Sequence, residues 1–106
     1  MSLMTLFSMT PLGKGESVSK YVAKVVDVVD KSGLPYMITP MGTIIESETW
    51  DETMSVLKDG FNLMQQDCSR ISVVIKIDYR EGKSGRFKAK VASLEKKLNR
   101  KLHKID

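Results

Sequence analysis

Apolar positions along this chain switch between a period of two and a period near 3.6, and the switches lay out its elements. Met4 to Thr10 reads as a strand closed by Pro11-Leu12-Gly13, because Pro11 has no N–H to give a ladder. Lys14 to Glu16 is a loop, and Ser17 is placed as a helix N-cap. Val18, Tyr21, Val22, Val25 and Val29 recur at helical spacing until Gly33 stops the helix, with Pro35 just beyond. So many valines form helix poorly, so tertiary packing has to hold this one. Tyr36 to Thr39 and Thr43 to Glu48 are short strands joined by the Pro40-Met41-Gly42 turn. Thr49 with Glu52 has the spacing of a capping box, with Asp51 as an alternative cap. Met54, Leu57, Phe61 and Met64 stripe a second helix to about Asp67, which Gly60 interrupts at a modest cost.

Ile71 to Tyr79 is the clearest strand. Ile71, Val73, Ile75, Ile77 and Tyr79 face one way; Ser72, Val74, Lys76, Asp78 and Arg80 face the other. After a loop over Glu81 to Gly85, a last helix starts near Arg86 with Phe87, Val91, Leu94, Leu98 and Leu102 on one face. The expected fold is α+β, a ferredoxin-like βαββαβ with a four-stranded antiparallel sheet plus a C-terminal helix. It forms a single domain over residues 4–98, followed by a basic extension over 99–106. Met1-Ser2-Leu3, ahead of a second methionine, reads as a cloning remnant without weight in the fold.

The odd-numbered row of the last strand is expected to meet the helices. The open face then receives Ser72, Val74, Lys76 and Asp78, with Ser8 and Thr10 from the first strand and Glu46 or Thr43 from the third. Such a mixed face suits a subunit interface or a ligand platform at one, since pockets favour clefts between packed units. Glu46 among β-branched neighbours asks for a partner: a ligand group, or Lys76 across the sheet.

Composition sharpens this only in places. The 106 residues carry a net charge of +4, unevenly placed: residues 1–80 hold 8 Lys/Arg against 10 Asp/Glu, and residues 81–106 hold 9 against 3. The basic character belongs to the C-terminal segment. No apolar run approaches the roughly 18 residues of a membrane span, and the start lacks the pattern of a signal peptide. The single cysteine, Cys68, cannot make an intrachain disulfide, and a cytoplasmic location is the default.

The residues also resemble a family. Met9-Thr10-Pro11-Leu12-Gly13 and Ser17-Val18-Ser19-Lys20-Tyr21-Val22, then Tyr36 through Glu46, then Lys76-Ile77-Asp78-Tyr79-Arg80 are, in order and spacing, similar to the small thiamine-binding proteins of the YkoF-like group. The likeness spans about residues 4–98, and the basic tail departs from it. It implies a homo-oligomer, pairing through its sheets as a dimer or as a dimer of dimers, a homotetramer. It implies non-catalytic binding of thiamine or its hydroxymethylpyrimidine moiety, as a carrier, buffer or sensor in vitamin metabolism or salvage. The family's Gly-Thr-x-x-Glu element falls on Gly42, Thr43 and Glu46, and its strand-end segment on Met9, Thr10, Pro11 and Gly13. Glu46 would accept from the aminopyrimidine amine, Thr43 would bond the ring edge, and Met9 and Met41 would lie against the ring. A thiazolium cation would favour Asp78 or Glu48.

Other chemistry finds little footing. No cofactor is expected, and His103 and Cys68 lack the partners and spacing of metal ligands. No Ser/His/Asp triad can be assembled, and Glu46 with Glu48, though two apart on one strand, is not otherwise marked as an acid/base pair. Gly13-Lys14-Gly15 is too short for a phosphate loop, and Lys83-Ser84-Gly85 lacks the preceding glycines. The alternative function is a nucleic-acid-binding module using the sheet and the basic C-terminal helix, with Lys96, Lys97, Arg100, Lys101 and Lys104 on phosphates. It wants stacking aromatics, for which Tyr79 alone is insufficient. The competing account of the tail is a solvated helix face that docks by Phe87, Val91, Leu94 and Leu98.

Overall fold

The computed structural model describes residues 2–15, 18–82 and 86–101, with the side chains of 86–91 excepted. Its elements are β1 (Ser2–Pro11), α1 (Ser19–Lys31), β2 (Tyr36–Thr39), β3 (Gly42–Ser47), α2 (Trp50–Asp67), β4 (Ile71–Arg80) and α3 (Arg86–Leu98). The sheet order is β2-β3-β1-β4 with each neighbouring pair antiparallel, so the fold is the ferredoxin-like βαββαβ with an added helix.

Register sorts the side chains. Phe7 lies opposite Thr43 on β3 and Ile75 on β4; Thr5 lies opposite Ile45 and Ile77. These odd positions share the face that α1 and α2 cover. Phe7, Met9 and Ile45 join Val25 and Val29 of α1 and Val56, Leu57 and Met64 of α2 in one core. Cys68 is buried in the same cluster, as a small apolar group would be. Gly60 lets the two helices touch: a Cβ there would stand 3.0 Å from Val25 Cγ1. The capping box forms as its spacing foretells, with Glu52 N–H donating to Thr49 Oγ1 at 3.2 Å and Thr49 N–H to Glu52 Oε1 at 3.1 Å.

Several expectations change. Ser2 and Leu3 belong to β1 and are buried, so the residues set aside as a cloning remnant carry the start of a central strand. The N-cap position of α1 is Val18, which makes no side-chain capping bond; Ser17 lies outside the described residues. The odd row of β4 does face the helix side, yet Val73, Ile75 and Tyr79 are 37%, 44% and 53% exposed. The reason is position: β4 is an edge strand, while the helices centre on β1 and β3. On α3, Leu94 and Leu98 are about half exposed and do not form the docked stripe expected of them. The side chains of Phe87 and Val91, and all of Leu102, His103 and Lys104, lie outside the described residues.

Candidate functional site

A cavity of about 350 Å³ opens between β1, α1 and the β2–β3 hairpin. Its floor is Phe7 to Thr10 of β1, where the strand runs on past its last pairing with β3. Val18, Val22, Val25 and Val26 of α1 form one wall. Ile38 through Thr43 form the other. Two local features hold that hairpin. Thr39 Oγ1 donates to the Gly42 carbonyl at 2.8 Å and accepts from Met41 N–H at 3.2 Å, which closes the turn. Gly42 lies so close to β1 that a Cβ would stand 2.8 Å from the Phe7 carbonyl oxygen. The turn leaves Met41 at the tip, 86% exposed, while Thr43 is buried at the inner end.

The cavity is chemically simple. Its apolar surface comes from valines, isoleucine, phenylalanine and methionine, and Thr43 brings a hydroxyl on the same sheet face as Phe7; Ser8 and Thr10 border it from the alternate positions of β1, and the Thr39 hydroxyl is engaged in the turn. Among the described residues no charged side chain lines it. Such a lining suits a flat, uncharged or weakly charged ring with a polar edge: the apolar walls take the faces and the Thr43 hydroxyl the edge.

Five of the residues singled out from sequence meet here: Met9, Thr10, Met41, Gly42 and Thr43. Four do not line it. Pro11 is buried at the end of β1 opposite Ile71, and Gly13 is exposed in the following loop. Glu46 and Asp78 sit on the opposite face of the sheet, flanking Met4 in one row across β3, β1 and β4. Thr43 and Glu46 cannot share a site on one strand face, because three residues along a strand is an odd step. Glu46 is buried and accepts a hydrogen bond from Ser2 Oγ at 2.6 Å. β1 runs between its strand and that of Lys76, the partner suggested from sequence. Glu48 falls past the end of β3 and is exposed, so it does not continue that strand face.

Sequence reasoning missed the helical wall. Val18, Val22 and Val26 form an i, i+4 row beside the core stripe, so α1 is apolar over a wider arc than the core needs. That surplus was the available signal. A cleft of about 410 Å³ between the C-terminal end of α1 and α2 contains none of the nine candidate binding residues drawn from sequence. Among the described residues no group of three or more His, Cys, Asp or Glu could hold a metal ion. No described helix is long and apolar enough to cross a membrane.

The platform needed for nucleic-acid stacking is also missing. Tyr79 lies on the helix-covered side of the sheet, opposite Leu3. The open face of β4 offers Ser72, Val74, Lys76 and Asp78. The nucleic-acid alternative finds no support.

Comparison with known proteins agrees with the fold. A protein of Mycobacterium bovis described as a UPF0045 protein is 41% identical over 100 residues, covering 94% of this chain and 98% of its own length. The crystal structure of a hypothetical protein from Methanocaldococcus jannaschii superposes with a TM-score of 0.80 at 33% identity, over 88% of this chain and 95% of that one. A domain of unknown function from Bacillus cereus superposes with a TM-score of 0.76 at 28% identity, over 86% and 88% of the two chains. The family described as "Thiamine-binding protein" matches residues 5–95. The chain belongs to that family.

Proposed function

We propose that this protein binds thiamine or its hydroxymethylpyrimidine part in the cavity beside the β2–β3 hairpin. It does so without covalent chemistry, as a carrier, buffer or sensor in vitamin metabolism or salvage. The observation that carries the reading is the convergence of Met9, Thr10, Met41, Gly42 and Thr43 on one cavity in a chain of this family. An aminopyrimidine is flat, with donors and acceptors confined to its edge. The Thr43 hydroxyl serves that edge, while Val22, Val26 and Met9 flank the faces. Because the lining is uncharged among the described residues, the pyrimidine and not the thiazolium cation is the part held inside. Glu46, on the far side of the sheet, has no direct part in binding.

The open face of the sheet supports an oligomer. Met4, Leu6 and Ile44 bound a shallow hollow of about 160 Å³ with Lys76 and Asp78, and Val74 is 62% exposed nearby. A second copy covering this face would bury that apolar surface. The protein works in the cytoplasm, where a lone buried thiol needs no oxidising environment.

Isothermal titration calorimetry with thiamine and with hydroxymethylpyrimidine tests the site. Saturable heat is expected for both, tighter for the pyrimidine. Thr43→Val should weaken it about tenfold, the worth of one buried hydrogen bond to a ring. Glu46→Gln should leave it unchanged. Absence of heat with both compounds overturns the ligand; loss in Glu46→Gln with Thr43→Val unaffected moves the site to the open face.

A further inference from the structure

On the other side of α1 lies a second cavity, of about 350 Å³ and opposite character, lined by Lys14, Lys20, Tyr21, Lys24 and Asp67. Three of the eight basic residues in the first 80 meet here, although that part of the chain carries more acid than base. The grouping has a visible cause. Lys20 and Lys24 lie one helical turn apart on the polar side of α1, and Lys14 comes from the loop after β1. The ammonium groups of Lys14 and Lys20 stand over the same Tyr21 ring, 5.7 and 5.0 Å from its centre. Lys24 donates to Asp67 Oδ2 at 2.5 Å. The Asp67 carboxyl is held below its ordinary range first by that hydrogen bond and the Lys24 charge, and then by Lys14 and Lys20. All three ammoniums therefore bear on one small volume.

Among the described residues, charge in that volume does not balance. Asp67 answers Lys24, and among the described residues neither Lys14 nor Lys20 has a carboxylate partner. Two cations gathered on one ring repel each other, and the ring's quadrupole offsets only part of that. A single dianion between them would balance them. A phosphate group carries roughly −1.5 to −2 charge at pH 7 and three acceptor oxygens, and lysine binds it as a point charge. The Tyr21 phenol supplies one further donor.

We propose that this cavity is a second binding site, for the phosphate group of a small phosphorylated molecule. It lies across α1 from the thiamine cavity and shares no lining residue with it. The site therefore stands whether or not the thiamine reading does.

The test is titration of the purified full chain with inorganic pyrophosphate, followed by calorimetry and amide NMR, with sodium chloride at matched ionic strength as the control. Inorganic phosphate forms a second arm, to show whether one phosphate group suffices. Saturable shifts are expected at Gly13, Lys14, Lys20 and Tyr21 in at least one arm. Lys14→Ala with Lys20→Ala should weaken affinity about a hundredfold, a factor of ten for each charged contact. Asp67→Asn should strengthen it several-fold by releasing Lys24, a gain that a merely structural pair would not give. Thr43→Val should leave pyrophosphate affinity unchanged, and the lysine double variant should leave the thiamine titration unchanged. Shifts reproduced by chloride, or affinity that survives the double variant and falls instead in Lys96→Ala with Lys97→Ala, overturns the proposal.

Discussion

The two faces of the sheet bury polar groups in different ways. Thr5 and Glu46 sit on the central strands, Thr5 facing the helices and Glu46 facing away from them. Both are buried. Glu46 receives the Ser2 hydroxyl, while the Thr5 hydroxyl has no hydrogen-bond partner among the described residues. The covered face is dominated by packing, with Ile45, Val29 and Met64 wholly enclosed. The open face sets partly exposed apolar residues beside polar ones. One strand therefore serves two purposes at alternate residues, and a function assigned to β3 has to name the face.

The largest expected effect separates adjacent isoleucines. Ile45→Ala should cost about 3 kcal/mol, since it empties a fully enclosed site. Ile44→Ala, on the open face, should cost under about 1 kcal/mol in dilute solution. Urea denaturation reads both. If a second copy covers the open face, Ile44→Ala should also weaken association in sedimentation. Equal costs in a monomeric sample would erase the distinction between the faces.

Gly42→Ala comes next. The new methyl would meet the Phe7 carbonyl at 2.8 Å, and backbone in a central strand has little room to yield. A loss of about 2 kcal/mol is expected, with weaker thiamine binding as the hairpin moves off β1. A variant as stable as the parent would show that the strands can separate there.

The polar groups then give a pair of opposite sign. Ser2→Ala removes a buried donor from a carboxylate and should cost about 1.5 kcal/mol. Thr5→Val keeps the shape and removes an unanswered hydroxyl, and should gain about 1 kcal/mol. If Thr5→Val destabilises, its hydroxyl is served in solution.

Much of this architecture was legible in the sequence, for identifiable reasons. Period-two and period-3.6 stripes located every element, and Thr49 with Glu52 marked the start of α2 from local hydrogen bonding alone. It is the family resemblance, and no local pattern, that put Met9 and Thr43 in one site. Three things were hidden. The grouping of Thr43 with Glu46 followed a motif's spacing and ignored the pleat, which separates them. The α1 wall of the cavity was hidden because valines facing a pocket read like valines facing a core. The lysine cavity needs Lys24 and Asp67 together, and only the packing of α1 on α2 supplies that contact.

The smallest effect is a pH dependence at that contact. The hydrogen bond between Lys24 and Asp67, reinforced by their opposite charges, lowers the Asp67 pKa and raises that of Lys24. A carboxyl whose pKa falls on folding contributes stability above its unfolded pKa and loses it as pH drops through the lowered value. An ammonium whose pKa rises contributes below its unfolded value and loses it as pH climbs through the raised one. The pair should therefore add a shallow plateau across neutral pH, ending on the acid side below the usual carboxylate range and on the alkaline side above the usual lysine range. Both side chains are substantially exposed, so the plateau should flatten in high salt. Urea midpoints measured from about pH 6 down to about pH 2 should fall more for the parent than for Asp67→Asn, because only the parent has this carboxylate to protonate. A phosphate group bound beside Lys24 makes the comparison sharper. Asp67→Asn would then lose the acid-side dependence and gain pyrophosphate affinity in the same molecule, whereas a plain surface ion pair would change only the first.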